Sequence, residues 1–230
     1  MNKKTVKNQG FTLLELLIVI AIIAILSVIL VLVLDPAETL KKSRDSQRMS
    51  DLATLKTALG LYSTSTVSPL MGGASNAACK GTSAGDATYA SVTDKIFYSY
   101  PTESGTITDT TLDGGATYPL KNQVALATVA ATNNTGWLPV NLSGLPGGSP
   151  ISNLPIDPVN TITALGTVAS TDLVYRYVCS EYTLKYEIDA RLESTAYTVD
   201  DNKMAKDGGN NAAYYEVGTD LGLLGTGTDF

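Results

Sequence analysis

Across residues 11–34 the chain carries a single ionisable side chain, Glu15, in an otherwise apolar run. A carboxylate in hydrocarbon has two stable fates: it reaches the polar interface, or it meets a cation. On a helix Glu15 lies only about 6 Å along the axis from Phe11, so position alone leaves both open. Directly before the run stands Gly10, which has no side chain. Other candidate chemistry is thin. The 230 residues contain no histidine, the commonest general base and metal ligand near neutral pH. "GTSAG" at residues 81–85 has the spelling of a nucleophile elbow, but Ser83 has no histidine to activate it. No clustered acid–base pair compensates, and the reading is not an enzyme.

The element that must position Glu15 is a helix. Twenty-four residues from Phe11 span about 36 Å as a helix, enough to cross a bilayer core with some tilt. A cleavable secretory signal is excluded by this length and by the sequel "LDPAE". The preceding residues hold Lys3, Lys4 and Lys7 and no acid, which keeps the N-terminus cytoplasmic and exports the chain beyond about residue 35. Export bears on the two cysteines, Cys79 and Cys179. Outside the cytoplasm an even pair favours a disulfide, and two unrelated buried thiols are the alternative. Sixteen basic and 22 acidic residues, a net charge of −6, argue against a nucleic-acid surface, which needs clustered cations.

A basic leader ending in glycine, then "FTLLELLIVIAIIAIL" with phenylalanine first and glutamate fifth, closely resembles the class III signal of type IV pilins and pseudopilins. The resemblance implies that a prepilin peptidase cuts between Gly10 and Phe11 and that the new Phe11 amine is N-methylated. It also implies that Glu15 of an incoming subunit neutralises Phe11 of one already docked, which sets subunit register because an unpaired buried charge penalises misalignment. The sequence departs from many pilins at Leu32 and its neighbours, which are aliphatic where a proline is common. Here the proline is Pro36.

Asp35, Pro36 and Glu38 read as N-cap, first helical position and capping-box acid of a second helix, or as a kink within one long helix. Leu52, Leu55, Leu59 and Tyr62 form an apolar stripe. Lys41, Lys42, Arg44, Asp45, Arg48 and Asp51 make the earlier turns polar, either as a solvated face or as contacts to neighbouring stalks. Beyond residue 62 a Ser-, Thr-, Gly- and Asn-rich stretch reads as a long surface connection with short strand candidates such as "KIFYSYP" at residues 95–101. Leu184, Tyr186, Ile188, Ala190 and Leu192 alternate with Lys185, Glu187, Asp189 and Arg191, which predicts a half-buried antiparallel strand, with "DLVYRYVCS" as its partner and Ser180 and Glu181 near the turn. The expected fold class is α+β: a long N-terminal α-helix packed on an antiparallel β-sheet head, which is also the pilin architecture. The expected parts are a cleaved leader (1–10), a transmembrane and polymerisation helix (11–34), an amphipathic stalk (35–62) and an exported head (63–230).

"LPIDPVN", "YRYVCSEYTLKYEIDARLES" and "DGGNNAAYYEVGTDLGLL" further resemble the heads of pilins related to the major pseudopilin of type II secretion, a subfamily in which calcium pins the C-terminal loop. Asp200, Asp201 and Asp207 offer oxygen ligands for such an ion, although their spacing does not match an EF-hand. An acidic, glycine-rich surface turn is the alternative. No cofactor is required by the sequence.

The resemblance implies a self-assembling helical homopolymer that works with prepilin peptidase, an assembly platform and minor pilins. The subunit would be a single-pass membrane protein before assembly and a surface filament afterwards. A pseudopilin of a secretion or DNA-uptake machine is the second reading, and a membrane-anchored binding domain that never polymerises is the third. Removal of the leader leaves 13 basic against 22 acidic residues, so nucleic-acid binding by this subunit alone is not expected.

Overall fold

The structure is a computed structural model that describes residues 10–73, 76, 78–79, 96–101, 124–163, 169, 171–180 and 184–224. The leader before Gly10, the segment around Ser83, Lys95 and Glu181 lie outside the described residues. The chain falls into two compact units, Met1–Lys41 and Lys42–Phe230.

The first unit holds α1, Leu13–Leu34. Its residues are apolar all round, so it has no polar face to turn to water, and its described side chains are exposed. Among the described residues this is the one stretch apolar and long enough to cross a membrane. The Ser27 hydroxyl donates to the Ile23 carbonyl at 2.7 Å and so satisfies itself within the helix. Asp35 ends α1 in a left-handed conformation, φ +34°. Its carboxylate accepts from the Glu38 N–H at 3.2 Å and opens α2, Pro36–Ser65. Of the two sequence readings, the cap geometry is that of a new helix start.

In the second unit, four strands form an antiparallel meander in the order β1-β2-β3-β4: β1 Phe97–Tyr98, β2 Tyr175–Cys179, β3 Tyr186–Ala190 and β4 Tyr215–Gly218. Together with α2 this is the expected α+β arrangement. The predicted stripe Leu52, Leu55, Leu59 and Tyr62 is buried, in one core with Tyr175, Tyr177, Tyr186 and Ile188. The cover of the sheet is larger than the stripe. Part of the presumed surface connection, residues 124–155, folds irregularly into the same core through Trp137, Leu138, Val140 and Leu142, and the Trp137 indole donates to the Pro155 carbonyl at 2.9 Å. Cys79 and Cys179 form a disulfide that closes a loop of 100 residues. Such a closure contributes on the order of 4 kcal/mol by restricting the unfolded chain.

The half-buried strand is a correction. β3 is buried on both faces, Glu187 and Asp189 included. A second core of Ile96, Tyr98, Val174, Val178, Tyr214, Leu223 and Leu224 covers the other side of the sheet. On that side Arg176 pairs with Asp189 and lies 3.9 Å from the centre of the Tyr214 ring. One Glu187 carboxylate oxygen accepts from the N–H groups of Leu223 and Leu224, each at 2.8 Å, and thereby fastens the C-terminal segment to the sheet.

Glu187 and Glu216 are a buried, interacting carboxyl pair. Burial, the neighbouring Glu216 carboxyl and the nearby Asp189 push Glu187 well above the ordinary carboxyl range, and burial raises Glu216 as well. A carboxyl with a higher pKa when folded than when unfolded stabilises most below its unfolded pKa, and that contribution is lost as the pH rises. Glu187→Gln is therefore expected to raise stability by at least about 1 kcal/mol at about pH 9 while changing little at about pH 4. Urea midpoints read from Trp137, the single tryptophan, test this, and equal gains at both pH values would remove the proton from the explanation.

Candidate functional site

Gly10 and Phe11 are exposed and lie outside α1, as a cleavable bond must. A side chain placed at Gly10 would meet nothing within 4 Å, and its backbone conformation is not one reserved for glycine. Among the described residues, no contact at Gly10 requires glycine. Phe11, exposed over most of its surface, packs against no core.

Glu15 has a role that the sequence reading missed. Thr12 is the N-cap of α1, and its hydroxyl accepts from the Glu15 N–H at 3.2 Å. The Glu15 carboxylate reaches back to the Thr12 N–H and hydroxyl, both at 2.9 Å. This reciprocal capping box satisfies amides that would otherwise be orphaned at the start of an apolar helix. The signal was present as "TLLE", a Thr followed three residues later by Glu. The carboxylate is thus held at the helix start, four residues from Phe11 and next to the bond that cleavage would break. All its partners here are uncharged groups of Thr12. Among the described residues no ion pair involves Glu15.

The second group of site residues behaves differently. Asp201 pairs with Lys203 at 2.5 Å and Lys206 at 2.7 Å, whose hydrogen bonds hold its carboxyl down to about 2. Asp207 accepts from the N–H groups of Gly209 and Glu216. Asp200 closes a short π-helix, Ala196–Asp200. The carboxylates of Asp201 and Asp207 are engaged with other partners, and among the described residues no group of three His, Cys, Asp or Glu side chains is placed to hold a metal ion.

The polar turns of α2 also need correction. Asp45 and Arg48 are fully buried, neither solvated nor available to a neighbouring stalk. Arg48 donates to both oxygens of Asp157, at 2.6 and 2.9 Å, and also to Asp45 and Glu193. The Asp45 carboxylate accepts from the N–H groups of Glu193 and Ser194. Arg44 binds Glu193 through two parallel hydrogen bonds. Burial opposes the Arg48 charge, but its hydrogen bonds and the charge of Asp157 outweigh this and raise its pKa. The network fixes α2 to the "LPIDPVN" loop and to the segment after β3. It anchors the head to the helix and carries no exposed reactive group.

A family model described as the prokaryotic N-terminal methylation motif matches residues 6–31. No curated protein and no solved structure gives a match. The matched span contains Gly10, Phe11, the Thr12–Glu15 capping box and most of α1, and through it the chain carries the class III signal of type IV pilins and pseudopilins.

Proposed function

We propose that this chain is the precursor of a structural subunit of a type IV pilus-like surface filament. The observation that carries the reading is α1: 22 residues, apolar on every side, preceded by the Gly10–Phe11 bond and charged only at Glu15. Such a helix is stable in a membrane or at the centre of a bundle of its own copies, and unstable in water. Prepilin peptidase would hydrolyse the Gly10–Phe11 amide on the cytoplasmic side, leaving a carboxylate on Gly10 and an ammonium on Phe11, which is then methylated. The cut removes Lys3, Lys4 and Lys7 and replaces them with one cation at the helix start, beside the acid that caps it.

In the lipid, water and Thr12 satisfy this carboxylate. Inside a fibre, where water is excluded, the Phe11 ammonium of a neighbouring copy is the partner that offsets its burial. A contact of this kind repeats without closing and generates an open helical polymer. The assembly platform would drive extraction from the membrane, minor pilins would begin the fibre, and the heads would form its outer wall. A pseudopilin of a secretion machine shares this anchor and is the second reading.

The test is the mass of the mature N-terminus. The expected species begins at a methylated Phe11 and is recovered from sheared surface filaments. A protein that begins at Met1 and stays in the membrane fraction would overturn the reading and favour a tethered domain that never polymerises.

A further inference from the structure

The head contains a cleft of about 370 Å³ at the C-terminal end of α2. This is within the range of small-molecule sites, roughly 300–1,000 Å³. Tyr62, Leu70 and Pro139 supply its apolar lining, and Thr66, Ser68, Asn134 and Asn141 its polar lining. Among the described residues no carboxylate or ammonium lines it.

The lining is held in place by groups other than those it offers. The Leu70 N–H donates to the Tyr62 hydroxyl at 3.1 Å, the N–H groups of Met71 and Gly72 donate to the Asn76 carboxamide, and the Tyr177 hydroxyl donates to the Met71 carbonyl. The Cys79–Cys179 disulfide secures the same turn to β2. On the 134–144 side, a β-bridge joins Asn133 to Asn141, and the buried Trp137, Leu138, Val140 and Leu142 lock the intervening chain.

By contrast, among the described residues Thr66, Ser68 and Asn134 make no side-chain hydrogen bond, and the Asn141 carboxamide uses only its oxygen, for the Gly144 N–H. Asn134 is held at φ +67°, a left-handed conformation. Fixed walls that present idle polar groups lower the ordering cost of a ligand. Hydroxyls and carboxamides both donate and accept, which matches a ligand whose own groups do both, and the described lining favours neither charge.

We propose that this cleft binds a neutral saccharide, its hydroxyls taken by Ser68, Thr66, Asn134 and the Asn141 amide and its C–H faces laid against Leu70 and Pro139. In the filament proposed above each copy carries one such cleft, so a weak single-site affinity is multiplied by repetition.

The test uses the full chain in a zwitterionic detergent that has no sugar headgroup. Glucose, galactose, N-acetylglucosamine and N-acetylgalactosamine are titrated separately by saturation-transfer NMR, with sialic acid and inorganic phosphate as charged probes. The double variant Ser68→Ala with Asn134→Gly removes two of the idle groups and keeps a residue able to hold the positive φ. Its folding is checked by Trp137 emission. At least one neutral sugar is expected to bind saturably, about tenfold or more tighter than either charged probe, and to lose about tenfold or more in the variant, in line with two lost hydrogen bonds. No saturable binding by any of the four sugars, equal binding to a folded variant, or preference for a charged probe each overturns the proposal.

Discussion

Glu15→Val is expected to leave the precursor in the membrane and to reduce sheared filament by at least about tenfold, because an unpaired Phe11 ammonium left buried in a fibre costs about 3–5 kcal/mol. Two roles of Glu15 meet in this variant, since valine removes both the charge and the capping contact to Thr12. Glu15→Gln separates them. A glutamine oxygen still accepts from the Thr12 N–H, so the cap is kept while the charge is lost. Filament yield is expected to fall nearly as far in the glutamine variant as in the valine variant. Immunoblots of the membrane and sheared fractions, with the N-terminal mass to verify processing, make the measurement. Normal fibres from Glu15→Gln would assign the residue to capping alone and remove charge pairing from the assembly mechanism.

Arg48→Met is expected to destabilise the head by about 3–5 kcal/mol, the usual cost of leaving buried carboxylates without their cation. For a domain of this size that corresponds to a fall in melting temperature of roughly 6–20 °C. Arg48 is the common partner of Asp157, Asp45 and Glu193, and the first two of these are fully buried with it. Arg48→Lys keeps the charge and loses the two-pronged contact with Asp157, so an intermediate loss is expected. Thermal melts followed at Trp137 give both values. The acid side adds a second signature. Arg44 and Arg48 hold the Glu193 carboxyl below the ordinary range against the opposing effect of its burial. The stability this lends is present above the ordinary glutamate pKa and is lost as the pH falls, and Arg48→Met is expected to weaken that acid dependence. A loss below about 1 kcal/mol, the scale of a surface ion pair, would show that the network is not a structural anchor.

The apolar stripe of α2 and the paired strands β2 and β3 were legible in the sequence, because each rests on periodicity within a few residues, whereas Asp35 and Pro36 fitted both a helix start and a kink. The Thr12–Glu15 box is equally local, spelled by a Thr followed three residues later by Glu. β4 escaped a sequence reading because Tyr215–Gly218 is short and follows a Gly- and Asn-rich turn. Trp137 and its neighbours looked like surface connection because irregular backbone leaves no period to read.

The sequence by itself determined which helix is left without a soluble face, which acid lies at its start and which glycine–phenylalanine bond precedes it. These depend on residue type and on spacing along one helix. Only the tertiary structure decided which charges are hidden: Arg48 meets Asp157 across 109 residues of chain, and Glu187 meets Leu223 across 36. Burial is a property of what a residue faces. An alternating Lys-Glu-Asp-Arg strand looks half-solvated until a C-terminal segment, folded back from beyond β4, covers its second face and turns its polar side chains into fasteners.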